Sequence, residues 1–120
     1  MAQHNELGKL GEDMAFDFLV KAGYKICEKN WRFKKAEIDI IAQKGETLVC
    51  VEVKTRSTDF FGDPQDFVDA KKIKLLVTAM NEYVESKDLD VDVRFDVVAI
   101  IHNKYKTNLE HFEDAFWHFD

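Results

Sequence analysis

Apolar residues recur along this chain with two periods, and the changes of period divide it into elements. Between residues 6 and 22, Leu7, Leu10, Met14 and Phe18 fall three or four apart, the spacing of one helix face. Gly8, Gly11, Ala15 and Ala22 lie on the flank of that stripe. Small side chains there let a helix lie close on a sheet, which offsets the propensity cost of two glycines. Gly23 ends the helix as a C-cap. Apolar positions such as Tyr24, Ile26 and Trp31 then alternate with charged ones and predict a first strand over 24–33. A second strand follows over 36–42 and a third over 47–55, with Lys44-Gly45 as the tight turn between them. Residues 57–64 read as a loop, and Asp63-Pro64 as a helix start. The helix is expected to run to about Ser86, with Ile73, Leu76, Val77, Met80 and Val84 as its stripe. A β-branched run over 93–101 predicts a fourth strand. Beyond Thr107, Phe112, Phe116, Trp117 and Phe119 fit either a short helix or a strand closing a core edge. The order α-β-β-β-α-β predicts an α/β fold, a central mixed sheet flanked by helices.

Composition narrows this picture. A chain of 120 residues has room for one core, so a single domain over 1–120 is expected. Its hydrophobic fraction of 46% and ten Phe can fill that core, while one Pro and five Gly argue against a disordered or fibrous chain. No run is apolar enough to span a bilayer and the polar N-terminus lacks a signal-peptide pattern, so no membrane partner and a cytoplasmic location are expected. Cys27 and Cys50 sit in apolar, strand-like runs and read as small buried hydrophobes rather than a disulfide framework. Neither has a partner at zinc-finger spacing, and the four His form no ligand pair. The net charge of −6 weighs against a nucleic-acid partner, because neutralised phosphates supply most of such affinity. A local basic face is compatible with it, and carboxylates that hold a metal add to the negative count.

Candidate chemistry lies on the second and third strands. Strict alternation puts Glu37, Asp39 and Ile41 on one face, and Leu48, Cys50, Glu52 and Lys54 on one face of the next strand. A turn at Lys44-Gly45 would pair Gln43 with Glu46, setting Asp39 opposite Cys50 and Glu37 opposite Glu52. Like charges opposite one another destabilise a sheet unless a cation sits among them. Lys54 supplies one positive charge, and a hard divalent ion such as Mg²⁺ or Mn²⁺ would supply the rest. Glu12, on the first helix, could reach the same cluster. Charged residues alternating with Ile and Val are also the pattern of the wet face of a half-buried sheet, where Glu52 and Lys54 would form an ordinary ion pair. On pattern alone both readings stand. A one-residue change of turn length would separate the carboxylates.

Glu37-Ile38-Asp39 followed by Val51-Glu52-Val53-Lys54-Thr55-Arg56 resembles the YraN family of small bacterial proteins. The resemblance covers most of the chain. It includes Leu10-Gly11-Glu12 with Ala15, Gly23-Tyr24, Asn30-Trp31-Arg32, Phe61-Gly62-Asp63-Pro64, Val68 and Lys72. It closes with Arg94-Phe95-Asp96-Val97-Val98-Ala99-Ile100 and Glu110-His111-Phe112-Glu113-Asp114-Ala115-Phe116. The family usually has Gly where this chain has Ala36. It looks like a branch of the PD-(D/E)xK, or restriction-endonuclease-like, nuclease superfamily. The resemblance implies Asp39 as the first acid and Glu52-Val53-Lys54 as the acid-x-Lys, with Glu12 as an assisting helix acid. It implies a Mg²⁺- or Mn²⁺-dependent hydrolysis of phosphodiester bonds in DNA or a DNA junction, with Asp39 and Glu52 on the metal and Lys54 on the attacking water or the developing charge. A non-catalytic nucleic-acid-binding module, or an interaction domain with a relic acidic site, are the other functions such a fold serves.

Other residues carry two readings each. Arg32, Lys34, Lys35, Arg56, Lys71, Lys72 and Lys74 make either a broken basic rim that grips phosphates or plain solvated charge. The resemblance favours binding for Arg56 and Lys72. Trp31 could stack a base or pack at the sheet edge. Asp96, among core residues, needs a partner, and Arg94 is the simplest. The aromatic C-terminus is expected to pack onto the core, and an exposed patch there could instead make a homodimer.

Overall fold

The structure is a computed structural model; it describes residues 2–58 and 67–116, with side chains from residue 6. Helix α1 (Ala2–Lys21) leads through Gly23, at φ +95°, into strand β1 (Lys25–Phe33). Strands β2 (Ala36–Lys44) and β3 (Thr47–Arg56) follow, then helix α2 (Ala70–Ser86), β4 (Asp92–His102) and β5 (Thr107–Phe112). The five strands form one sheet in the order β1-β2-β3-β4-β5. All neighbours are antiparallel except β3 and β4, which run parallel and so need the α2 crossover between them. The mixed sheet with flanking helices expected from the sequence is therefore present. The ambiguous segment after Thr107 is an edge strand, and Phe116 behind it is 1% exposed in the core; Trp117 and Phe119 lie outside the described residues.

Each helix covers one face. Leu76, Ala79, Met80 and Tyr83 of α2 pack on Ile38, Ile41, Leu48, Cys50 and Val97. Ala15 and Leu19 of α1 pack on Ile40, Ala42, Val49, Val51, Val98 and Ile100. The buried stripe of α1 is not the one its large residues predicted. Gly11, Ala15 and Leu19 are buried, Met14 and Phe18 only half so, and Leu10 is 37% exposed. Close approach is the reason. A Cβ on Gly11 would lie 1.9 Å from Thr55 Oγ1 and 2.9 Å from Thr55 Cβ, so only glycine lets α1 sit on β3 at that point.

Three expectations need correction. Helix α2 begins at Ala70, not Pro64: Asp69 is its N-cap, accepting from Lys72 N–H at 2.8 Å, and Asp63-Pro64 lies outside the described residues. The β2–β3 turn is Gly45-Glu46, flanked by the pair Lys44↔Thr47. Gly45 adopts φ +61°, which the first position of such a turn requires. Moving the turn by one residue shifts the pairing by two, so the parity of the strand faces survives. Ile41 is now opposite Cys50, and the register carries Asp39 level with Glu52. Finally, Glu37, Asp39 and Ile41 do not share a face. Ala36, Ile38 and Ile41 all lie in the α2-side core but Ile40 lies in the α1-side core, so β2 breaks its alternation at Asp39.

Candidate functional site

Strands β2 and β3 pair as far as Ile40↔Val51 and then part. Asp39 fills the start of the gap: its Oδ2 accepts from the Val53 backbone N–H at 2.8 Å. Glu52, beside it on β3, is 1% exposed. Its Oε2 takes the ammonium of Lys54 at 3.2 Å and that of Lys72, which reaches over from the first turn of α2. Its Oε1 is buried and has no hydrogen-bond partner. Each of the two acids thus has one oxygen anchored by the protein, and Glu52 has a free oxygen held away from water.

Electrostatics follow from that crowding. Burial, then the charge of Glu52, push the Asp39 carboxyl up to about 8, against the Val53 N–H that favours its anion. A proton held by Asp39 is in reach of Glu52. Burial also raises Glu12, and the charge of Glu37 adds to this, while a contact with the Asn30 amide opposes it. Lys72 stays charged: burial works against its ammonium, but Glu52 outweighs burial and raises its pKa.

Two grooves meet at this point. One, of about 250 Å³, opens toward α1 and is lined by Gly8, Glu12, Asp39, Glu52, Lys54 and Arg56. The other, of about 330 Å³, lies between β2 and α2, where Lys35, Glu37, Lys71 and Leu76 line it. Asp39 and Lys72 border both. The structure therefore brings Asp39, Glu52, Lys54, Glu12 and Lys72 together, with Arg56 on the rim. Glu37 is turned aside and paired with the exposed Arg32 across the β1–β2 ladder at 2.7 Å. Arg32 lines neither groove. Ala36 packs its methyl into the α2-side core at the edge of the second groove. Trp31 packs edge-on to Tyr83, with ring centroids 5.1 Å apart, and stacks on Phe33. Cys50 is buried and Cys27 half-buried, and burial raises both thiols, so neither is a ready thiolate.

Among the described residues, no group of three or more His, Cys, Asp or Glu is arranged to hold a metal ion. The pair does suit Mg²⁺ or Mn²⁺, which take hard oxygen ligands, and Mg²⁺ commonly binds through one or two carboxylates while water and phosphate complete its shell. The orphaned Oε1 of Glu52 is the atom such an ion would satisfy. Sequence reasoning missed the Val53 N–H that anchors Asp39 and the part played by Asn30. A backbone donor leaves no sequence signal, whereas an Asn within a strand-like run does.

The raised pKa of Asp39 has a measurable consequence in metal-free protein. Its ordinary value is 3.8, so between about 4 and about 8 the folded state binds a proton that the unfolded chain has released. This group's contribution to stability then falls as pH rises through that window. Asp39→Asn should be more stable than the parent above pH 8, with the difference shrinking toward pH 4. Thermal melts in a chelator at several pH values check this, and a variant that is less stable at pH 9 would refute it.

Taken together, a five-stranded mixed sheet between two helices, parting at its middle over two anchored acids and two lysines, defines an α/β protein with a buried acidic cleft. No helix among the described residues is long and apolar enough to cross a membrane. The profile of uncharacterised protein family UPF0102 matches residues 11–100, and the chain belongs to that family, the YraN family. It is 61% identical over 119 residues to a UPF0102 protein of Flavobacterium psychrophilum, covering 99% of this chain and 100% of the relative. A relative from Christiangramia forsetii is 58% identical with the same coverage, and one from Parabacteroides distasonis is 45% identical over 117 residues, 98% of this chain and 97% of the relative.

Proposed function

We propose that the protein is a nuclease that hydrolyses phosphodiester bonds in DNA with the help of a divalent cation. The observation that carries this reading is the buried Glu52, its Oε2 held by two lysines and its Oε1 left free beside Asp39. Asp39 and Glu52 would hold Mg²⁺ or Mn²⁺, with Glu12 contributing through water. The ion supplies polarisation of a phosphate oxygen and a water of lowered pKa. Lys54 presents an ammonium where charge develops on the phosphate. Lys72 and Arg56 border the grooves that lead away from this point, suited to the flanking phosphates. Resemblance to the acid and acid-x-Lys pattern of the PD-(D/E)xK nucleases supports the same assignment.

A second reading has its own observation. Lys54 and Lys72 already neutralise Glu52 without any ion, which suits a nucleic-acid-binding module that does not cut. Incubation with labelled duplex, single-stranded and junction DNA and with RNA, with and without Mn²⁺, separates the two. The nuclease reading expects products only with Mn²⁺ and none from Glu52→Gln. Retention of DNA without products supports the binding module. Neither binding nor products leaves an interaction domain.

A further inference from the structure

Among the described residues, four that are not glycine have a left-handed backbone: Asn30, Lys34, Asp88 and Asp114. Lys34, Asp88 and Asp114 sit in turns, but Asn30, at φ +51°, lies inside strand β1. Its place is particular. The β1–β2 ladder runs Lys29↔Ile40 and resumes at Trp31↔Ile38, so the position skipped is Asn30 facing Asp39. The two strands change faces together across that gap. Lys29 lies on the α1 side, against Phe16 and Asp13, and Ile40 is in the α1-side core. Trp31 and Ile38 belong to the α2-side core. Residues two apart in a regular strand share a face, so both strands turn over between these pairs. Asn is one of the few side chains that tolerates φ near +50°.

The inversion decides where the site acid goes. Were β2 regular, either Ile38 or Ile40 would have to leave its core, and Asp39 would lie flat on one face of the sheet. With the strands turned over, Asp39 stands at the parting of β2 and β3, takes the Val53 N–H and borders both grooves.

We propose that Asn30 is a positioning residue for the carboxylate site: its left-handed backbone turns β1 and β2 over so that Asp39 meets Val53. Asn30→Ala penalises the left-handed conformation, whereas Asn30→Gly keeps it and removes only the amide. Amide hydrogen exchange in metal-free protein tests this. Exchange at Val53, relative to Val49 lower on the same strand, should accelerate about 10-fold or more in Asn30→Ala and remain at the parent value in Asn30→Gly. Unchanged relative exchange at Val53 in Asn30→Ala, or equal acceleration in Asn30→Gly, overturns the role.

Discussion

Asp96→Ala should cost about 3–5 kcal/mol of folding stability, the range for breaking a buried ion pair from one side. Asp96 is 0% exposed and fully engaged. Arg94 donates through Nε to Oδ1 and through a terminal nitrogen to Oδ2, both at 2.9 Å. His111 Nε2 lies 2.7 Å from Oδ2, and because an ionised carboxylate only accepts, that nitrogen must carry the proton. The Asp114 backbone N–H supplies a fourth bond at 2.9 Å. The carboxylate thereby ties β4 to β5 and to the turn beyond it, and through Arg94 to the Tyr24 hydroxyl at the end of α1. Removing it leaves the half-buried guanidinium with only Glu113 and Tyr24, and takes the acceptor from His111 and from the Asp114 N–H. Chemical melts check the size of the loss; a change below 1 kcal/mol would show that the network carries little. pH offers a second check. Burial alone would raise the pKa of Asp96, but the donors from His111, Arg94 and Asp114 outweigh burial and lower it below the ordinary 3.8. The stability it contributes is therefore complete above about pH 4 and is lost as pH falls through the lowered value. Asp96→Ala should lack that part of the acid limb. Asp39 behaves in the opposite sense, although both acids are enclosed, because its neighbour is another carboxylate rather than a guanidinium.

Lys54→Ala separates catalysis from structure. If the site hydrolyses phosphodiesters, single-turnover cleavage should fall about 10²–10³-fold, the scale for losing one donor aimed at developing charge. Mn²⁺ affinity should stay level or rise, since a positive charge 3.2 Å from Glu52 Oε2 is gone while Lys72 still holds that oxygen. Lys54→Arg should restore little, because a planar fork does not reproduce a compact ammonium. If Lys54 only neutralises Glu52, the outcome differs: slightly lower thermal stability and unchanged cleavage. Equal rates for the parent and Lys54→Ala, in a protein shown to cut with Mn²⁺, would remove Lys54 from the mechanism.

Much of the site was legible because it depends on local spacing. The grouping of Glu52 with Lys54 on one side of β3 needs only alternation and holds in the structure. The Arg94–Asp96 pair likewise follows from a spacing of two along one strand. A hairpin moved by one residue shifts the pairing by two, which brings Asp39 level with Glu52, but Asp39 left the face that alternation predicted for it. Lys72 was legible as a basic residue near the site, but its attachment to Glu52 was not. That contact joins two elements whose relative placement depends on the α2 crossover.

The sequence by itself determined the order of helices and strands as far as β4 and the mixed sheet, because these rest on periodicity within a few residues, while the acids and lysine of β2 and β3 were singled out by the family resemblance. Tertiary structure decided the rest. Which stripe of α1 is buried follows from how closely Gly11 approaches Thr55, a distance no local pattern encodes. Where Asp39 points follows from an inversion shared by two strands at Asn30, and the partners of Asp96 come from β5 and the turn after it. Alternation predicts a face only while φ stays in the extended region, and a single left-handed residue cancels it for both strands at once.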